Sequence, residues 1–264
     1  MAFDDAYIIQ KDGAWADASD NAGPDQNCYM VVDVRLHLKD ELEDSVLDAI
    51  ESRLKKFLST TFWRNDGLFR LYLAMERCAV AGIPPKVLLF LKDAGGKGKS
   101  MLSMLRAHVW KTQHSFVDPS AFVGEEEFRK AGSDFSGSRF YTVQETKRGR
   151  IQLDILKKAI TNEKIAVRPN FGKKTYMLPF GRAMWVWEVN EAPEIDPITR
   201  NVSDSEDWLT RRTRVGHFQQ TITPEADCVD AASGVFSYGH ESRYLFASRK
   251  YRLRVHAQYV HSVL

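Results

Sequence analysis

The residues best placed to do chemistry are Asp93-Ala94-Gly95-Gly96-Lys97-Gly98-Lys99-Ser100, set between an apolar run, Val87 to Leu91, and a helix-forming stretch, Lys99 to Trp110. Glycines let backbone amides at Gly95, Gly96 and Gly98 close on phosphate oxygens, with Lys97 between them. A helix that begins at the end of the loop adds partial positive charge. Lys99 can then reach the outer phosphates, and the Ser100 hydroxyl can ligate magnesium. The pattern reads as a triphosphate-binding loop, with one departure: Asp93 stands where the first glycine is usual.

Further clusters follow in order. Phe140-Tyr141-Thr142-Val143-Gln144 reads as a strand that delivers Glu145 at its end, where a carboxylate can join a magnesium shell or orient a water. Trp185-Val186-Trp187-Glu188-Val189 reads as a strand ending in Asn190, whose amide can contact a γ-phosphate or the attacking water; on its own, such an Asn is as readily a turn former. Between them, Lys164 to Met177 reads as a hairpin bearing Arg168, Lys173 and Lys174 with Phe171 at its tip. Cations interleaved with an aromatic can grip a phosphodiester backbone and stack a base, and an ordinary solvated turn has the same composition. Trp208 to Arg214 carries Arg211, Arg212 and Arg214, planar guanidinium groups suited to phosphoryl-transfer charge or simply to a solvated helix end.

These groups need elements to hold them. Helices are expected over Asp40 to Phe57, Gly67 to Ala81 (stopping at Gly82-Ile83-Pro84-Pro85), Lys99 to Trp110, near Glu125 to Lys130 and over Ile151 to Ile160. Strands are expected at Tyr29 to Leu38, Phe116-Val117 and Arg139 to Gln144, and in segments up to Asn190. Such alternation predicts an α/β fold with a parallel sheet covered by helices. Residues 1 to about 30 read as a loosely ordered leader, with Gly23-Pro24-Asp25 as a turn.

Composition sets the outer limits. With 264 residues, 27% charged and 44% hydrophobic, the chain is an ordinary globular one, and 37 basic against 35 acidic residues leave only +2, so a nucleic-acid site has to come from local clustering. Cys28, Cys78 and Cys228 are odd in number and widely spaced, which supports neither a disulfide framework nor a zinc site and points to a reducing intracellular compartment, cytoplasm or nucleus. No apolar run approaches ~18 residues and the N-terminus is acidic, so neither a membrane span nor a signal segment is expected.

The order of these clusters resembles the superfamily 3 helicases of viruses, phages and plasmids, closest in pattern to the poxvirus and phage primase-helicases. The resemblance rests on Phe62-Trp63 through Gly82, Val87 to Phe90 with Gly95 to Ser100, Arg139 to Glu145, Leu156 to Thr161, Asn190-Glu191-Ala192-Pro193 and Trp208 to Phe218. It implies an AAA+ P-loop ATPase core over residues 57–218, preceded by a leader and helical segment (1–56) and followed by a C-terminal extension (219–264). It further implies a ring, usually a hexamer, that binds ATP and Mg2+ between subunits and holds single-stranded nucleic acid, DNA in preference to RNA, in its pore. By position, Lys99 and Ser100 are the phosphate and magnesium contacts, Glu145 the second-motif acid and Asn190 the sensor. Arg211, with Arg212 as the alternative, is the finger acting on the neighbour, and Arg168 to Lys174 is the pore hairpin. Many relatives carry an acid where this chain has Gln144. A non-hydrolysing ring scaffold and a P-loop small-molecule kinase share the loop and are the alternative readings. The basic stretch Arg243 to Arg254 reads as a solvated terminal element or a nucleic-acid contact.

Overall fold

In the computed structural model, the described residues are 8–11, 14–17, 52, 55–93, 95, 97–135, 137–145, 150–169, 172, 174–191, 193–196, 202–218, 220–222 and 235–236. The expected strand Tyr29 to Leu38, most of the helix Asp40 to Phe57 and the basic stretch Arg243 to Arg254 lie outside them. The chain forms two compact units: one comprises Met1–Phe69, Gly96–Gln113 and Gln219–Leu264, the other Arg70–Gly95 and His114–Phe218.

In the first unit, β1 (Ile8–Lys11) and β2 (Ala14–Asp17) pair antiparallel within the stretch read as a loosely ordered leader. The sequence between them, Asp12-Gly13, favours the tight turns that join paired strands. Helix α1 (Asp66–Ala81), which from Arg70 onward belongs to the second unit, matches the expected 67–81. Asn65 Oδ1 accepts the Leu68 N–H at 3.1 Å to cap its start, and Gly82, at φ +70, ends it in the left-handed region.

The second unit is built on β3 (Leu88–Lys92), β4 (His114–Val117), β5 (Phe140–Gln144), β9 (Met184–Val189) and β11 (Thr213–Gly216), a five-stranded, wholly parallel sheet in the order β11-β3-β9-β5-β4. The apolar runs of β3 and β9 follow from burial on both faces, which parallel sheets impose. One face carries Leu88, Phe90, Tyr141, Val143, Trp185 and Trp187 into a core shared with Phe128 of α3 (Glu125–Phe135) and with Ile155, Leu156, Ala159 and Ile160 of α4 (Leu153–Thr161). Those α4 positions fall on one helical stripe, and Glu125, Glu126 and Glu127 suit the positive start of α3. A two-residue strand, β6 (Ile151–Gln152), precedes α4 and pairs with β10 (Ile195–Asp196); the expected helix over Ile151 to Ile160 therefore starts two residues late. β7 (Lys164–Val167) and β8 (Tyr176–Pro179) form the expected hairpin. Helix α5 (Val202–Arg212) leads into the edge strand β11. The result is an α/β fold with a parallel sheet flanked by helices, compatible with a P-loop nucleoside triphosphatase. No described helix is long and apolar enough to cross a membrane.

Where β8 returns towards β9, the buried Gly181 approaches the backbone of Asn162, the left-handed residue that ends α4; a Cβ there would collide with the Asn162 nitrogen. Gly181→Ala is expected to cost about 1–3 kcal/mol by overpacking against backbone. A thermal melt matching the parent would contradict this close approach.

Candidate functional site

The strand order gives the second unit a switch point. From β3 the chain runs past β9 and β5 to β4 at one edge; from β9 it runs past β3 to β11 at the other edge. Neighbouring strands whose outgoing connections diverge leave a crevice beyond their C-terminal ends, the usual ligand position in open α/β sheets. The loop that begins at Asp93 leaves β3, Asn190 follows β9, and Glu145 follows β5. Since adjacent strands lie about 4.8 Å apart, all three emerge within about 10 Å along one edge. Pairing continues past the strand ends: Asp93 N–H donates to the Val189 carbonyl at 3.1 Å, and Glu145 N–H to the Glu188 carbonyl at 3.0 Å.

Glu145 is exposed and takes φ +53, a left-handed conformation that costs a non-glycine residue about 1–3 kcal/mol. Asn190 is exposed in the turn after β9. The departure at Asp93 has a structural reason: its Oδ2 accepts the backbone N–H of Phe218, 125 residues away, at 2.5 Å, which ties the start of the loop to the segment after β11. A glycine could not do this. One residue before the end of β9, Glu188 lies buried and accepts from Gln144 Nε2 at 3.2 Å.

Gly95, in the same unit, has φ +95, open to glycine and strained for other residues. In the first unit, Gly98 caps α2 (Lys99–Trp110) at φ +87 and ψ 5, and its carbonyl accepts the Leu102 N–H at 3.1 Å. The helix thus opens at the expected residue, with Lys99 buried and Ser100 exposed in its first turn. The Lys97 carbonyl accepts Gln220 Nε2 at 2.5 Å from a side chain that is wholly buried. Sequence reasoning missed Glu188, Gln220 and the purpose of Asp93. A lone Glu within Met-Trp-Val-Trp-Glu-Val was the available signal for the first; long-range pairs leave none.

The second unit also carries the expected cations. Arg211, in the last turn of α5, is more than half exposed and pairs with Asp207 at 2.5 Å; Arg212 is half-buried. Arg214 folds back to donate to the carbonyls of Thr210, Arg211 and Thr213, closing the helix end. On the hairpin, Arg168 is half-buried and its N–H donates to the Arg129 carbonyl at 2.9 Å, while Lys174 is exposed. Tyr176 and Met177 on β8 add exposed apolar surface beside them. Gly96, Phe171 and Lys173 lie outside the described residues.

Among the described residues no three His, Cys, Asp or Glu side chains gather to hold a metal unaided. Within the second unit, the groups beside the strand ends that could ligate a magnesium ion, Gln144, Glu145 and Asn190, would do so through oxygen. Such a set suits an ion that arrives with phosphates and keeps most of its waters.

No protein-family profile and no curated protein matches the chain. Solved structures of the C-terminal region of NrS-1 are similar in outline: two apo A-form structures at 12% identity and TM-score 0.49, and another apo structure at 13% and 0.47. They cover 94–95% of this chain, which spans about half the length of those chains.

Asp93→Ala is expected to lose about 1–3 kcal/mol, because it strands the Phe218 N–H, whereas Asp93→Asn keeps an acceptor oxygen and most of the stability. Hydrogen exchange at the Phe218 amide checks this directly: it should speed up in the Ala variant, and unchanged exchange would remove the tie.

Proposed function

We propose that the chain is an ATP-dependent nucleic-acid translocase, a replicative DNA helicase of a virus, phage or plasmid that works as a ring. The observation that carries the reading is the origin of the loop, Glu145 and Asn190 at the C-terminal ends of three adjacent parallel strands, β3, β5 and β9, around a switch point. The motif order of the superfamily 3 helicases adds the roles. Lys99 neutralises charge on the outer phosphates, Glu145 orients the water for in-line attack on the γ-phosphate, and Asn190 senses that phosphate. Magnesium, when bound, supplies charge neutralisation at the phosphate oxygens, with Ser100 and Glu145 as the residues to hold it. Hydrolysis drives the basic hairpin, Arg168 to Lys174, along a single strand gripped through its phosphates.

A ring places the finger across a subunit boundary. Arg211 suits that role because its pairing with Asp207 is exposed, and exposed ion pairs are worth little, so a neighbour's phosphate can displace it. Arg214, committed to carbonyls at the end of α5, suits it less. Gln144 favours one competing reading, a ring that binds ATP without hydrolysing it.

Lys99→Ala is expected to keep the fold and lose ATP hydrolysis by roughly a thousandfold or more. Turnover at the parental rate in a folded Lys99→Ala protein would remove the site. Arg211→Ala should retain ATP binding and lose hydrolysis. Mixed with Lys99→Ala subunits it should regain some activity wherever an intact pocket faces an intact finger. Silence at all mixing ratios, with mixed rings confirmed by mass, would make Arg211 structural and pass the role to Arg212.

A further inference from the structure

Strand β9 is buried along its length and apolar at Met184, Trp185, Val186, Trp187 and Val189, yet Glu188 within it is only 5% exposed. A carboxylate withdrawn from water destabilises the fold unless donors reach it. Gln144 of β5 is the residue directly opposite in the strand register, and its Nε2 donates to Glu188 Oε2 at 3.2 Å. An ionised carboxylate only accepts, so the Gln144 amide has to turn its NH2 group towards Glu188; the flipped amide would set oxygen against oxygen. Its carbonyl oxygen Oε1 is thereby turned away from Glu188, on an exposed side chain one residue before Glu145.

We propose that Glu188 and Gln144 form one functional pair. Glu188 is a positioning residue that locks the Gln144 amide, so that Oε1 accepts a hydrogen bond from a water in the shell of nucleotide-bound magnesium. The carboxylate of the pair lies buried on β9, and the neutral Gln144 is its exposed member. An acid at both positions would set two carboxylates side by side, each opposing ionisation of the other. Gln144 is therefore coupled to Glu188 and does not by itself mark a dead site. This inference rests on the nucleotide-binding reading of the loop.

The test is binding of a fluorescent ATP analogue, titrated with magnesium and repeated in chelator. Glu188→Gln, which frees the amide to flip, should raise the magnesium concentration at half-effect by about tenfold or more, the usual loss when an outer-shell partner is removed. Affinity in chelator should stay at the parental value. Gln144→Glu alone should lower the melting temperature, and the double variant Gln144→Glu with Glu188→Gln should recover both the melting temperature and the magnesium midpoint. A folded Glu188→Gln protein with the parental midpoint would overturn the proposal and leave Glu188 as packing. Should Glu188→Gln fail to fold, Gln144→Ala, at an exposed position, must show the same magnesium shift, and an unshifted midpoint there overturns the proposal equally. A parent chain that binds no analogue with or without magnesium overturns the nucleotide reading itself, and the pair with it; analogue binding that is intact but indifferent to the pair sinks the pair alone.

Discussion

The divergence of the chain at β3 and β9 is the constraint on which the other features depend. Strands buried on both faces cannot carry polar chemistry along their length without desolvating it, so polar groups collect where the strands end. Parallel pairing puts all those ends on one edge, and opposite outgoing connections keep that edge open between β3 and β9. Asp93, Glu145 and Asn190 are brought together by this topology, although the first and last stand 97 positions apart in the sequence. Glu188 is the exception that tests the rule: a carboxylate one residue inside the buried strand, held by a side chain from the neighbour.

Glycine-rich loops owe their affinity for phosphate to backbone amides already turned towards it, and that depends on what fixes the loop. Here its start is tied by the Asp93 carboxylate to Phe218, and its later part by the Gln220 amide to the Lys97 carbonyl. Both anchors come from the stretch that follows β11, one within each compact unit. The anchor at Asp93 has taken the place of a glycine, exchanging conformational freedom at the loop entrance for a charge-assisted hydrogen bond. Backbone strain at Glu145 belongs to the same economy, since left-handed conformations persist only where surrounding structure enforces them.

Local features were legible in the sequence because local physics makes them. The helix Lys99 to Trp110 begins and ends where its apolar spacing and preceding glycine place it, and the apolar runs of β3 and β9 were plain because burial on both faces leaves no alternation to obscure them. Sheet order was not legible, since it is fixed by packing between strands far apart in sequence. The same holds for the ties from Asp93 to Phe218 and Lys97 to Gln220, which span 125 and 123 residues. Asp93 and Gln144 looked like losses when each was set against a motif. Each acquires a partner only in three dimensions, Phe218 for one and Glu188 for the other.

A translocase, a silent ring and a small-molecule kinase make different demands on one loop. The first needs a strand to enter the cycle, the second stops at binding, and the third needs a phosphate acceptor other than water. Steady-state ATP turnover, measured with magnesium in the absence and presence of single-stranded DNA, separates them most directly. The account predicts measurable basal hydrolysis to inorganic phosphate that rises when the strand is added. ATP bound but never hydrolysed, or hydrolysis indifferent to the strand, would contradict it.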